Sequence, residues 1–125
     1  MSRVTIQREA IREVIHTAEG PLLPEQILIR AQASCPGLGQ ATVYRAIKRL
    51  ETEQEIQRIT DPEGRARYER VKDHHHHFQC RSCDKVYDIP GCVMKPPSAL
   101  RQKLPSGFQV EGHEVWLHGL CATCA

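Results

Sequence analysis

The chain has 125 residues, 40% of them hydrophobic and only 5% aromatic, with a formal charge of +2. That length holds one domain or two small ones without a large core, so a structural metal would help it fold; zinc-finger peptides gain ~10–16 kcal/mol from theirs. No apolar run reaches the ~18 residues of a membrane span, and the N-terminus has no signal-peptide core. A cytoplasmic chain with no membrane partner is expected, and its six cysteines read as reduced metal ligands before disulfides. Residues 1–72 carry 12 Lys/Arg against 10 Asp/Glu and residues 73–125 carry 5 of each, so the excess cation lies in the first half, where nucleic acid would bind.

Apolar residues at Val4, Ile6, Ile11, Val14 and Ile15 predict a helix from Val4 to Thr17, with Thr5 as a candidate cap and Glu19-Gly20-Pro21 as its stop. Leu23 to Ala33 reads as a second helix with Pro24 in its first turn. Ser34 to Gly39 is a turn. Gln40 to Gln54 reads as a third helix: Val43, Ala46, Ile47 and Leu50 form its buried stripe, leaving Thr42, Tyr44, Arg45, Lys48 and Arg49 facing outward. Glu55 to Arg70 reads as a hairpin around Asp61-Pro62-Glu63-Gly64.

Three helices and a basic hairpin make a winged helix. Its third helix would enter the major groove, and its hairpin, beginning its return at Arg65, would touch flanking phosphates. Beyond a joint at Val71 to Asp73, Phe78 to Cys80 and Lys85 to Ile89 read as strands, Ser98 to Leu104 as a short helix, and Phe108 to His118 as an alternating strand.

Cys80-x-x-Cys83 and Cys121-x-x-Cys124, with 37 residues between them, supply four thiolates and leave no open position: a closed structural zinc site, against the alternative of two disulfides or free dithiols. Cys35 and Cys92 have no partner at ligand spacing, and Cys92 reads as a core or surface thiol. The run His74-His75-His76-His77 exceeds what that zinc site needs and asks for a second one.

Four motifs together resemble the Fur (ferric uptake regulator) family of metal-sensing repressors: Thr5-Ile6-Gln7-Arg8, Ala41-Thr42-Val43-Tyr44-Arg45-Ala46, the histidine run with Cys80 and Cys83, and Gly119-Leu120-Cys121-x-x-Cys124. The resemblance implies an α+β chain, with a winged helix-turn-helix DNA-binding domain over 1–72 and a small α/β dimerisation domain over 73–125. It implies a homodimer that binds double-stranded operator DNA when a divalent metal, Fe(II), Zn(II) or Mn(II), fills a sensor site between the domains. Tyr44 and Arg45 match positions that reach into the groove, and Arg8 one that contacts the backbone. A tyrosine offers apolar contact to a thymine methyl, and an arginine offers donors to guanine or phosphate.

Glu69, His75, His77 and Asp88 match the family's sensor ligands, and His75 and His77, two apart on an extended segment, face one way. Pro21 stands where many members have a further histidine ligand. His74 and His76 on the opposite face, with His113, match most of an additional metal site, whose usual carboxylate falls near Lys95. His16 and His118 read as structural.

Three rival readings differ in what they need. A peroxide sensor of the same family would use an iron or manganese site of histidine and aspartate. A metal-storage or chaperone module would use the histidine run but leaves the outward face of the third helix without a role. A zinc hydrolase or deaminase needs an open coordination position and a general base, and the sequence has no such pattern, so no enzyme is expected.

Overall fold

The computed structural model describes residues 2–92 and 102–125. Helices α1 (Arg3–Thr17), α2 (Pro24–Ala31) and α3 (Gln40–Thr52) come first. Strands β1 (Ile56–Thr60), β2 (Ala66–Arg70), β3 (His75–Cys80), β4 (Val86–Pro90) and β5 (Trp116–Gly119) follow. Helices succeeded by small sheets make an α+β chain, as the periodicities require. Among the described residues no helix is long and apolar enough to cross a membrane.

Helix ends differ from expectation for local reasons. Ser2, not Thr5, caps α1: its Oγ accepts from the Thr5 amide at 3.2 Å. In α2 the reach-back comes from Gln26, whose Oε1 accepts from the Leu23 amide at 2.9 Å, and the helix closes at Ala31 instead of Ala33. Helix α3 stops two residues early because Gln54 takes a positive φ of 61°. The Gln54 and Glu55 amides then bond back to the Glu51 and Leu50 carbonyls at 2.9 and 3.0 Å, a Schellman closure.

The buried core gathers Ile11 and Ile15 of α1, Ile27 of α2, Val43, Ala46, Ile47 and Leu50 of α3, with Ile56 and Tyr68 of the hairpin beneath them. Each of the Val, Leu and Ile side chains contributes roughly 1.5–3 kcal/mol on burial. Leu22 exchanges two backbone bonds with Tyr68, at 2.9 and 2.8 Å, which fastens the α1–α2 connection to β2. In the hairpin turn the Gly64 amide donates to the Asp61 carbonyl at 2.9 Å, with Gly64 at φ 85°.

The second sheet has the order β4-β3-β5, β3 pairing antiparallel with β4 and parallel with β5. Strand β3 begins at His75, so most of the histidine run is inside the ladder. The strand expected over Phe108 to His118 is ordered as one only at Trp116–Gly119. Phe108 and Val110 alternate as a strand would, but they are 67% and 56% exposed. They have no neighbour to pair with among the described residues, and alternation without a partner makes no ladder. The helix expected at Ser98 to Leu104 lies mostly outside the described residues, and residues 102–104 form a turn.

Two features join the α1–α2 connection to the second sheet. The Asp88 amide donates to the Glu19 carbonyl at 2.9 Å. Gly20 packs so closely on β4 that a Cβ there would stand 2.0 Å from the Val86 carbonyl oxygen, so only glycine fits.

Candidate metal centres and the basic helix face

Both Cys-x-x-Cys pairs converge. The sulfurs of Cys80, Cys83, Cys121 and Cys124 all lie within 4.8 Å of one another, and none of the six cysteines is in a disulfide. Cys83 and Cys121 stand 3.8 Å apart, and a tetrahedral ion with Zn–S of about 2.3 Å separates its sulfurs by about 3.8 Å. Amides of Cys83 and Cys121 point at the Cys80 sulfur, at 3.5 and 3.4 Å, and hold its thiol down to about 6. Cys124 is pushed up to about 11, chiefly by its bond with Cys121. Thiols so crowded do not all ionise without a cation among them, which fits a closed thiolate metal site.

The second cluster joins the two sheets. Glu69 comes from β2, His75 and His77 from one face of β3, and Asp88 from β4, where it sits directly across from His77. His75 Nε2 lies 2.9 Å from Glu69 and 3.4 Å from Asp88; His77 Nε2 lies 3.3 and 3.5 Å from the same two carboxylates. Ligand atoms about 2.0–2.2 Å from one ion stand about 3.0–3.6 Å from one another. His75 Nδ1 donates to the Asp73 carbonyl at 2.7 Å. That fixes its proton on the far side and leaves Nε2 for the cluster. His77 stacks on Trp116, ring centres 4.8 Å apart.

The electrostatics also suit a cation. Burial resists ionisation of Glu69, which is 1% exposed, yet bonds from His77, Gln57 and His75 hold its carboxyl at about 2. Burial raises Asp88 above its ordinary value, and the Glu69 charge adds to the rise against the Lys72 ammonium. Asp88 Oδ1 is buried with no hydrogen-bond partner among the described residues, an orphaned oxygen facing two imidazoles. Lys72, which the sequence did not single out, ion-pairs with the other oxygen, Oδ2. Pro21 is buried and contributes nothing to this group, and among the described residues no side chain of the helices joins the four.

A third cluster forms on the opposite face of β3. His74, His76 and His113 come together as the sequence suggested, and Cys92, set aside there as a lone thiol, joins them. The register explains why spacing missed it: β4 ends at Pro90 opposite His75, so the chain two residues on passes the outer histidines. Lys95 lies outside the described residues.

On α3, Tyr44, Arg45, Lys48 and Arg49 are exposed and Thr42 is half-buried, with Arg45 donating to the Thr42 hydroxyl at 3.1 Å. Arg8 of α1 lines a shallow cleft with Thr42, Arg45 and Arg49. Arg65 is placed differently from the expected phosphate contact. Its guanidinium grips Asp84 with two bonds of 2.7 Å and Asp61 with one of 2.9 Å, so its donors are directed into the protein.

The sequence model of the Ferric uptake regulator family matches residues 1–118. The ferric uptake regulation protein of Campylobacter jejuni is 30% identical over 125 residues, covering 98% of this chain and 79% of that protein. The transcriptional regulator FurA of Mycobacterium tuberculosis is 32% identical over 124 residues, covering 98% and 83%. Among solved structures, a zinc-bound manganese uptake regulator superposes with a TM-score of 0.74 at 27% identity, over 96% of this chain and 91% of that one.

Proposed function

The chain belongs to the ferric uptake regulator family of metal-responsive transcriptional regulators, and from that premise we propose that it is a repressor that grips operator DNA as a homodimer once a divalent metal fills the Glu69–His75–His77–Asp88 cluster. One observation carries this reading. The four donors come from both sheets, one from the hairpin and three from the second sheet, and one carboxylate oxygen among them has no other partner. A cation there would tie the hairpin of residues 1–72 to the body of residues 73–125 and set the angle between them, which is what a switch between two DNA affinities needs.

In this reading Cys80, Cys83, Cys121 and Cys124 hold a structural zinc ion that keeps the second sheet folded, within a cytoplasm that keeps thiolates reduced. Imidazole and carboxylate donors at the sensor cluster suit Fe(II), Mn(II) or Zn(II), and a zinc-bound manganese uptake regulator is among the structures this chain resembles. Tyr44, Arg45 and Thr42 would face base edges from α3, with Lys48 and Arg8 on phosphates.

The experiment is a DNA-binding titration on a palindromic A/T-rich duplex, with and without each metal. Loading of the sensor cluster should raise affinity by roughly 5- to 150-fold, and His75→Ala should remove that gain while the fold survives. Equal affinity with and without every metal would sink the proposal.

A further inference from the structure

We propose that Gln57 is a positioning residue of the sensor cluster: its side-chain amide holds one oxygen of Glu69, so that the carboxylate offers an ion the other alone, and this favours a four-coordinate ion such as Zn(II) over Mn(II). The inference rests on the sensor reading above and deepens it, by adding a residue from a strand that supplies no ligand.

Strand register puts the residue there. Gln57 of β1 stands directly across the hairpin from Glu69 of β2, and directly paired side chains on one face of an antiparallel ladder meet. Gln57 Nε2 donates to Glu69 Oε2 at 2.9 Å. An ionised carboxylate only accepts hydrogen bonds, so the amide must meet it nitrogen first. Glu69 Oε1 is left between the imidazoles, 3.0 Å from His75 Nε2 and 3.3 Å from His77 Nε2. Oε2 also stands 2.9 Å from His75 Nε2, so without the amide both oxygens are within reach of an ion beside that ring.

Asp88 is held in the same way by a different group. Lys72 ion-pairs with Oδ2, and Oδ1 has no hydrogen-bond partner among the described residues. Each carboxylate thus has one oxygen engaged by a nitrogen donor and one turned to His75 and His77. The two donors differ in charge. Lys72 neutralises its partner, whereas the neutral amide of Gln57 leaves the full charge of Glu69 for a cation. What Gln57 controls is therefore the number of oxygens and not the charge.

That number decides which ion fits. Two imidazole nitrogens and two single oxygens make four donors, and among the described residues no further side chain joins them. Four nitrogen and oxygen donors suit tetrahedral Zn(II), whereas Mn(II) seeks about six, mostly oxygen. A second oxygen from Glu69 is what Gln57 withholds.

The test uses the full-length protein with zinc already in its Cys80–Cys83–Cys121–Cys124 site. Mn(II) is titrated through quenching of Trp116, whose ring stacks on His77. Zn(II) is measured by its competition with Mn(II) at buffered free concentrations. In Gln57→Met, of similar length but without a donor, Zn(II) affinity should fall by roughly 10–100-fold, the usual loss when the partner of a ligand is removed. Mn(II) affinity should hold or rise, so the zinc-over-manganese ratio falls by at least that factor. Gln57→Asn, one methylene short of Oε2, should shift the ratio in the same direction, and it carries the test if the Met variant does not fold. A ratio unchanged in the folded variant, whether both affinities fall together or neither moves, would overturn the role of Gln57 and leave the sensor reading standing. A wild-type titration that His75→Ala leaves unaltered would instead end the sensor reading, and this inference with it.

Discussion

Arg65 on the hairpin holds Asp84 in the Cys80–Cys83 knuckle with two parallel bonds of 2.7 Å. Arg67, fully buried beside it, donates to the Asp84 carbonyl at 3.0 Å and to Asp61 at 2.9 Å. Gln79 bridges Glu63 and Asp84 at 2.9 and 3.1 Å. The hairpin is thus fastened to the knuckle by charge-assisted bonds that involve none of the sensor donors. Removing Asp84 leaves buried Arg67 with one carboxylate fewer, while the 40% exposure of the Asp84 side chain limits the loss. Asp84→Ala should lower stability by about 1–3 kcal/mol, read by urea unfolding. It should also loosen the hairpin, seen as faster hydrogen exchange at β2. A variant as stable as the wild type would show that the latch contributes nothing.

Acid should act through the same network. Asp61 lies below the ordinary carboxylate value despite its burial, because the Arg65 amide and the Arg67 guanidinium favour its charge; Arg65 likewise holds Asp84 low. A depressed carboxyl contributes stability in full above its unfolded value of ~3.9 and loses it as pH falls through the folded value. His75 runs the other way. Burial lowers it, but the Asp73 carbonyl and Glu69 outweigh burial and leave it raised. Its contribution to the metal-free protein is full below ~6.5 and is lost as pH rises through the raised value. His76, which burial holds low, opposes this trend, so the comparison is with His75→Gln: in thermal unfolding of the sensor-metal-free protein, wild-type stability should fall more steeply than the variant's as pH rises through the raised value. Sensor metal should reverse that fall in the wild type, since the ion takes the place of the proton on His75. Equal slopes in the two metal-free proteins would contradict this.

Lys72 places an ammonium on Asp88 within the proposed sensor cluster, where an arriving cation would compete with it. Lys72→Met keeps the aliphatic stem and removes the competitor. Metal affinity should rise by roughly 3- to 10-fold, the worth of a partly exposed ion pair, measured by fluorescence titration of Trp116, whose ring stacks on His77. Weaker metal binding in Lys72→Met would mean that the lysine holds Asp88 in place instead of opposing the ion.

Much of this was legible in the residues, and the rest was hidden for physical reasons. The helices declare themselves through periodic Val43, Ala46, Ile47 and Leu50, and the thiolate group through two chelating pairs. Both signals are local. Arg65 reads from sequence as a basic hairpin residue, and only the fold reveals that Asp84, 19 positions away, faces it. Lys72 and Cys92 escaped for the same reason, since neither sits at a spacing that announces its partner. Strand register brings them in, and register is set by pairing across chain segments that no short window contains.

In the proposed reading, the exposed face of α3 keeps DNA recognition separate from the latch. Tyr44 is 47% exposed, and the exposed Arg45 hydrogen-bonds only to Thr42 among the described residues, so both are free to meet a groove, while Arg65 is directed inward. Arg45→Ala should weaken binding to the preferred operator by ~1–3 kcal/mol and flatten the preference among sequences, as expected for a side chain that reads base edges. Lys48→Ala should weaken all duplexes alike and reduce the salt dependence by about one counterion. Arg65→Ala should leave the salt slope unchanged, because its charge is already neutralised by Asp61 and Asp84. Fluorescence anisotropy over a salt series distinguishes the three. If Arg65→Ala lowers the slope as Lys48→Ala does, the guanidinium leaves Asp84 when DNA arrives, and the latch opens in the bound state.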